Sequence, residues 1–153
     1  IDRLMSIKGK HSVDHIHKEL GHIMWEYVGM ARDAEGLKVA IEKLQQLKKD
    51  FLTNLRIPGD KDSLNVELEK ALRLQDFIEL GELMAHDALD RNESCGGHFR
   101  TEFQTPDGEA LRNDDEYAYV SCWEYQGEDK APVMYKEPLD YEFVVRQQRN
   151  YKS

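Results

Sequence analysis

From Val13 the apolar positions fall at three- and four-residue steps: Val13, Ile16, Leu20, Ile23, Met24, Tyr27 and Met30. That spacing puts them on one face of an α-helix. Ser12 is a good N-cap, so the spacing predicts a helix from Ser12 to about Arg32. Asp33 can cap a second helix, in which Leu37, Ile41, Leu44, Leu47, Phe51 and Leu55 repeat the stripe and Lys43, Lys48 and Lys49 face water. Arg56-Ile57-Pro58-Gly59-Asp60 stops it, because Pro and Gly both break helices. Ser63 is the expected cap of a third helix running to about Arg91. Its apolar residues (Leu64, Leu68, Leu72, Leu74, Phe77, Ile78, Leu80, Leu83, Met84, Leu89) cover more than one face, so this helix wants partners on two sides.

Past Arg91 the helical period disappears. Gly96-Gly97 and Thr105-Pro106-Asp107-Gly108 mark loops and a turn. Tyr117 to Trp123 is aromatic and β-branched and predicts a strand. Gln126-Gly127-Glu128-Asp129 can turn it into a second strand near Val133-Met134-Tyr135, with Tyr141 to Val145 extended beyond. The predicted fold class is therefore mainly α: an antiparallel, spectrin-repeat-like three-helix bundle followed by an irregular tail with short β-strands. The expected organisation is residues 1–91 as the bundle and 92–153 as a loop and β-containing tail, packed on the bundle as one domain.

Composition narrows the function classes. With 153 residues, 40% hydrophobic and 33% charged, the chain has material for one packed core, and wholesale disorder is excluded. The formal net charge of -9 argues against a general nucleic-acid binder, which carries a basic face. No apolar run approaches the roughly 20 residues of a membrane-spanning helix. Two cysteines cannot ligate an iron–sulfur cluster, which takes four thiolates. Neither a G-x-G-x-x-G nor a Walker loop is present, which excludes both familiar nucleotide cradles. The chain opens at Ile1 without Met or a signal-peptide pattern, and is expected to be a processed product or a piece of something longer.

Four groups could carry chemistry. His11, His15 and His22 lie near one face of the first helix with Glu19 between them, and His11/His15 have the i, i+4 spacing of zinc ligands. One straight helix spreads the three too far apart, so a solvated polar face is the stronger reading and no metal site is assigned. Cys95 has His98 three residues on, but no hydrolase signature surrounds it and catalytic use is not expected. Asp107, Glu109, Asp114, Asp115 and Glu116 lack the ligand spacing of a calcium loop and read as a solvated acidic loop. The fourth group, Arg91 to Arg100, packs two Arg, a Glu, a His and a double Gly into ten positions. Glycines permit close backbone approach, and such an Arg–Glu–His set forms a fixed polar network at a junction, interface or hinge.

Glu93-Ser94-Cys95-Gly96-Gly97-His98-Phe99-Arg100 resembles the Glu-Ser-Arg-Gly-Ala/Gly-His-x-Arg segment in the C-terminal region of succinate dehydrogenase and fumarate reductase flavoprotein subunits. Arg112-Asn113-Asp114-Asp115-Glu116-Tyr117 is similar to the Arg-Asp-Asp stretch that follows it. Met30-Ala31-Arg32-Asp33 ahead of Glu35-Gly36-Leu37 resembles the junction of the first two helices there. Tyr135-Lys136-Glu137-Pro138 and Arg149-Asn150-Tyr151 match the family's final segment. Cys95 stands where an Arg is usual, and Phe103 to Leu111 is longer than in the commonest versions. The tail resembles the subgroup of Bacteroides-like and Bacillus-like bacteria. L-aspartate oxidase, which shares the helical domain, is the second resemblance; a free-standing helical binding or metal-binding module is the alternative from another class.

The resemblance implies a parent subunit that binds FAD and interconverts succinate and fumarate. It would pass electrons to an iron–sulfur subunit and a quinone, beside a membrane cytochrome b subunit, on the cytoplasmic side of the inner membrane. It implies for this chain a structural role with no catalytic, cofactor-binding or metal-binding residue and no activity of its own. Arg91, Glu93, Ser94, Gly96, Gly97, His98 and Arg100 carry over only as a C-terminal signature with a role at a domain interface.

Overall fold

The computed structural model describes residues 1–127 and 130–148. Two compact units, Ile1–Asp90 and Arg91–Ser153, are described in turn.

The first unit is built on α2 (Val13–Tyr27), α3 (Ala34–Asn54) and α4 (Val66–Asp90), preceded by a short α1 (Asp2–Ser6) and β1 (His11–Ser12). Ser12 and Asp33 cap as their sequence positions predict, accepting from the amides of His15 and Gly36 respectively. The third cap is not the expected one. Ser63 is drawn to Asp60, whose Oδ1 accepts from its amide and hydroxyl, while Asn65 Oδ1 takes the Leu68 amide and starts α4. A cap needs its side chain level with the first free amides, and Asn65 stands one residue ahead of Val66.

α2 also stops at Tyr27 rather than near Arg32. At Gly29 the chain folds back over the last turn so closely that a Cβ would lie 2.9 Å from the Trp25 carbonyl oxygen. Ala31–Arg32 (β2) is then extended into the Asp33 cap. Met30, counted into the stripe by its spacing, is accordingly exposed. α1, whose single buried residue is Leu4, is too short to leave a periodic signal.

Neighbouring contacts fix the direction of each helix. Gln45 donates to Glu82 and Lys48 to Glu79, so positions rise on α3 as they fall on α4. β1 pairs in parallel with β3 (Leu55–Arg56), His11 opposite Leu55, which brings the start of α2 to the end of α3. α2 and α4 run in the same direction, with Asp14 near Lys70 and Leu20 and Met24 against Gly81. The result is an antiparallel, up–down–up bundle. Its core is Val13, Ile16, Leu20, Leu37, Leu44, Phe51, Leu55, Leu74 and Ile78 with smaller residues between them. α4 buries mostly small side chains (Ala71, Gly81, Ala85, Ala88) along with Leu68, Leu74 and Ile78. Leu72, Phe77, Leu80 and Met84 remain on its outer side. The broad apolar surface read from the sequence thus divides into a buried face and an open one.

A tight clasp closes the β1–β3 end. A Cβ at Gly9 would stand 1.9 Å from the Asn54 carbonyl carbon and oxygen, so only glycine fits. Its amide donates to the Leu55 carbonyl, and the Lys10 amide to Asn54 Oδ1. His11 Nδ1 lies 2.6 Å from Asp50 Oδ2.

The second unit holds β4 (Phe99–Arg100), a one-turn α5 (Asp114–Tyr117) and an antiparallel hairpin of β5 (Tyr119–Glu124) with β6 (Val133–Pro138). The hairpin is the pair of strands that the aromatic run predicts, in a register that sets Tyr119 opposite Pro138 and Glu124 opposite Val133. Thr105 to Gly108 forms the expected turn, with Gly108 at φ +79° and its amide on the Thr105 carbonyl. Tyr141 to Val145 forms no strand. The acidic Asp114–Tyr117 stretch is a helical turn rather than open loop. Glu128, Asp129 and the closing Arg149-Asn150-Tyr151 lie outside the described residues.

Candidate functional site

Two glycines shape the signature segment. Gly96 sits at φ +58°, a conformation L-residues disfavour, so the chain reverses in two residues between Cys95 and His98. Those two residues exchange both backbone hydrogen bonds, at 2.8 and 3.0 Å. The reversal sets Ser94 beside Arg100. Ser94, fully buried, accepts from the Arg100 amide at 2.8 Å and donates its hydroxyl to the Arg100 carbonyl at 3.0 Å. Its own amide reaches the Leu111 carbonyl.

Arg91 is the hub. Its guanidinium donates to Glu93 Oε1 (3.0 Å), to the carbonyls of Tyr117 and Tyr119 (3.1 Å each) and to Ser121 Oγ (3.4 Å). It also lies over the Tyr119 ring, 5.0 Å from the centroid. The Arg91 carbonyl accepts from His98 Nε2 at 2.9 Å and from Arg100 Nη1 at 3.5 Å. Glu93, only 3% exposed, spends its second oxygen on the Asn113 amide at 3.0 Å. Arg100, 2% exposed, forks onto both oxygens of Glu102 at 3.2 Å and lies over Phe103. A buried charge is tolerated when paired and hydrogen-bonded, which holds for Glu93 and Arg100.

Every residue of the expected signature therefore belongs to one turn and its network: Arg91, Glu93, Ser94, His98 and Arg100 through bonds, Gly96 and Gly97 as the reversal. Sequence reading missed the partners Asn113, Tyr117, Tyr119 and Ser121, which lie twenty to thirty residues away. The Arg112-Asn113-Asp114 motif was their one local signal. There Arg112 donates to Asp114 through Nε and Nη2, and this hydrogen bond raises its pKa above the ordinary arginine value. Cys95 and Cys122 are exposed free thiols, and the His98 ring turns to the Arg91 carbonyl as Cys95 sits at the outside of the turn. In chemical terms the site is a lock: its donors and acceptors are spent on one another rather than aimed at a reacting atom.

The other clusters read from the sequence are not assembled into sites. The His11 and His15 rings lie 4.5 Å apart, but His22 stays with Glu19 further along α2. Among the described residues no group of three or more His, Cys, Asp or Glu is placed to hold a metal ion. Of the acidic cluster, Asp114 is tied to Arg112 and Glu116 to Asn113. Among the described residues no helix is long and apolar enough to cross a membrane.

Similarity to known proteins agrees with this geometry. The succinate dehydrogenase flavoprotein subunit of Bacillus subtilis is 25% identical over 150 residues, 98% of this chain and 24% of that protein. An L-aspartate oxidase of Nicotiana tabacum is 34% identical over 88 residues, 58% of this chain and 13% of that protein. The fold matches a solved Escherichia coli quinol fumarate reductase chain with TM-score 0.74 and 23% identity, over 96% of this chain and 24% of that one. The chain thus spans a quarter or less of the curated relatives it matches. The profile of the fumarate reductase flavoprotein C-terminal region matches residues 17–151, and the chain belongs to that family.

Proposed function

We propose that this chain serves as the C-terminal helical portion of a flavoprotein subunit that interconverts succinate and fumarate, and that its own role is structural. The observation that carries this reading is the family match over residues 17–151, with the same fold found in a fumarate reductase. In the parent subunit FAD would supply the hydride chemistry that links succinate and fumarate. Electrons then pass to an iron–sulfur subunit and on to a quinone beside a membrane cytochrome b subunit, with the flavoprotein peripheral on the cytoplasmic side of the inner membrane. The residues of this chain do not fit FAD. A diphosphate wants a glycine-rich turn feeding a helix N-terminus free of acids. Here the three long helices begin at side-chain caps (Ser12, Asp33, Asn65), and each carries acid in its first turn: Asp14, Glu35, and Glu67 with Glu69.

Within this reading the network from Arg91 to Arg100 holds a domain junction. The self-satisfied hydrogen bonding of Glu93, Ser94 and Arg100 supports a positioning task over a chemical one. The test is direct. The 153-residue chain, purified alone, is expected to be colourless and to reduce no dye with succinate, whereas the full-length subunit carries flavin and does. Flavin bound stoichiometrically to the chain alone would overturn the assignment. A second reading, aspartate oxidation by the parent, is favoured by the match to the tobacco enzyme. The full-length subunit separates the two by its turnover of L-aspartate against succinate.

A further inference from the structure

The clasp at the β1–β3 end holds a pair of imidazoles that the signature network does not involve. His11, His15 and His22 make no three-ligand site, but the fold brings the first two together with Asp50 of α3. The His11 and His15 rings lie 4.5 Å apart between centroids, inclined at 51°. His11 Nδ1 stands 2.6 Å from Asp50 Oδ2. Asn54 Nδ2 is 3.1 Å from Asp50 Oδ1 and 3.3 Å from the same His11 Nδ1. One ring nitrogen cannot both donate and accept, and the shorter contact, to a carboxylate, wins. Neutral His11 therefore carries its proton on Nδ1, donates it to Asp50 and leaves the Nε2 lone pair free. A metal-binding histidine is oriented in the same way, by a carboxylate on its other nitrogen. His15 is exposed on the first turn of α2, and among the described residues its ring nitrogens have no hydrogen-bond partner.

We propose that His11 Nε2 and one ring nitrogen of His15 form a two-imidazole site for a late first-row divalent ion, with Asp50 holding His11 from behind and water completing the coordination. Asp50 itself is not a ligand: among the described residues no three such groups are placed around one ion. Spacing selects the ion. Metal–imidazole bonds of about 2.0–2.1 Å put a ring centre about 3.2 Å from the ion, so two rings at a right angle have centroids about 4.5 Å apart. At the tetrahedral angle the same rings stand about 5.2 Å apart. The observed 4.5 Å matches the right angle, which suits Cu²⁺ or Ni²⁺ better than tetrahedral Zn²⁺. Bound there, the ion places positive charge next to the Asp50–His11 pair and strengthens the tie between the start of α2 and the end of α3. The site is independent of the flavoprotein assignment.

Copper titration of the 153-residue chain tests the site, with CuCl₂ as the only added metal in a non-coordinating buffer near neutral pH. Electron paramagnetic resonance at one equivalent is expected to show an axial Cu²⁺ signal with two nitrogens in the equatorial plane. His15→Ala is expected to remove one of those nitrogens, and His22→Ala to change nothing. By calorimetry Asp50→Asn is expected to weaken binding by about ten-fold or more, the usual cost of losing a carboxylate behind a ligand histidine. His15→Ala lies on an exposed helical turn, so its result stands even where Asp50→Asn loosens the clasp. A spectrum that His15→Ala leaves unchanged overturns the proposal, as does an Asp50→Asn affinity equal to that of the parent chain. A loss shared equally by His22→Ala assigns the copper to scattered surface imidazoles and overturns it as well.

Discussion

Replacing Glu93 by alanine tests the lock around Arg91 most directly. The side chain is 3% exposed, and its two oxygens serve Arg91 at 3.0 Å and the Asn113 amide at 3.0 Å. Breaking a buried ion pair by removing one partner costs about 3–5 kcal/mol, mostly because a charge is left uncompensated. Arg91 is not fully stranded, however. It is 19% exposed and keeps the Tyr117 and Tyr119 carbonyls and Ser121 Oγ. The pair therefore belongs at or below the low end of that range, about 2–3 kcal/mol. The orphaned Asn113 amide adds about 1 kcal/mol. Glu93→Ala is thus expected to destabilise the second unit by about 3–4 kcal/mol, and Glu93→Gln, which still accepts from Asn113, by about 2 kcal/mol. The assay is denaturant unfolding followed by tryptophan fluorescence in a Trp25→Phe background, which leaves Trp123 of β5 as the reporter. A double-mutant cycle with Arg91→Met isolates the pair. A coupling below about 0.5 kcal/mol, or a Glu93→Gln loss equal to that of Glu93→Ala, would refute the reasoning.

Three further outcomes follow from the geometry. Gly9→Ala drives a methyl into the Asn54 backbone and is expected to cost about 3 kcal/mol or more in thermal unfolding of the first unit, whereas Gly21→Ala, with open space around it, costs nothing or stabilises. Burial pushes the Asp50 carboxyl up, but hydrogen bonds from His11 and Asn54 outweigh it and hold the pKa below the ordinary 3.8. The clasp is therefore at full strength above that value and is lost as pH falls through the lowered one; Asp50→Asn should remove this acid limb from the pH dependence of the melting temperature. Among the described residues the buried Tyr119 hydroxyl has no partner, while its ring lies under Lys136 and Arg91 at 4.3 and 5.0 Å. Tyr119→Phe is expected to be neutral or to stabilise by about 1 kcal/mol by chemical denaturation, since the ring contacts survive and the unpaired hydroxyl goes.

Local physics made the bundle legible. Ser12 and Asp33 cap because their side chains reach amides three residues on, a relation within one turn of chain. Ser63 misled for the same local reason: it has cap chemistry, yet Asp60 claims it, and the loop geometry that decides between Ser63 and Asn65 is set by Gly59 at φ +85° and Asn65 bonding back to Pro58. The division of the α4 surface was only half readable. Spacing shows that apolar residues occupy two faces, but the choice of Ala71, Gly81, Ala85 and Ala88 for the interior reflects how closely α2 and α3 approach. The signature turn could be seen in the double glycine, whereas its partners could not, because hydrogen bonds from Arg91 to residues 117 to 121 leave no periodicity.

Those long-range bonds also set an order of assembly. The helices of the first unit gather contacts between neighbouring elements and can condense as soon as Asp90 has been made. Arg91 must wait, because its acceptors lie 26, 28 and 30 positions downstream. Closing a loop of that size costs about 3 kcal/mol of chain entropy, recovered only when Ser121 and the strand around it have arrived. A nascent chain halted between residues 100 and 112 would therefore present the helices followed by an Arg91 guanidinium and a Glu93 carboxylate without their downstream partners Asn113, Tyr117, Tyr119 and Ser121. Refolding should show the same two stages, with helix formed first and Trp123 burial trailing it.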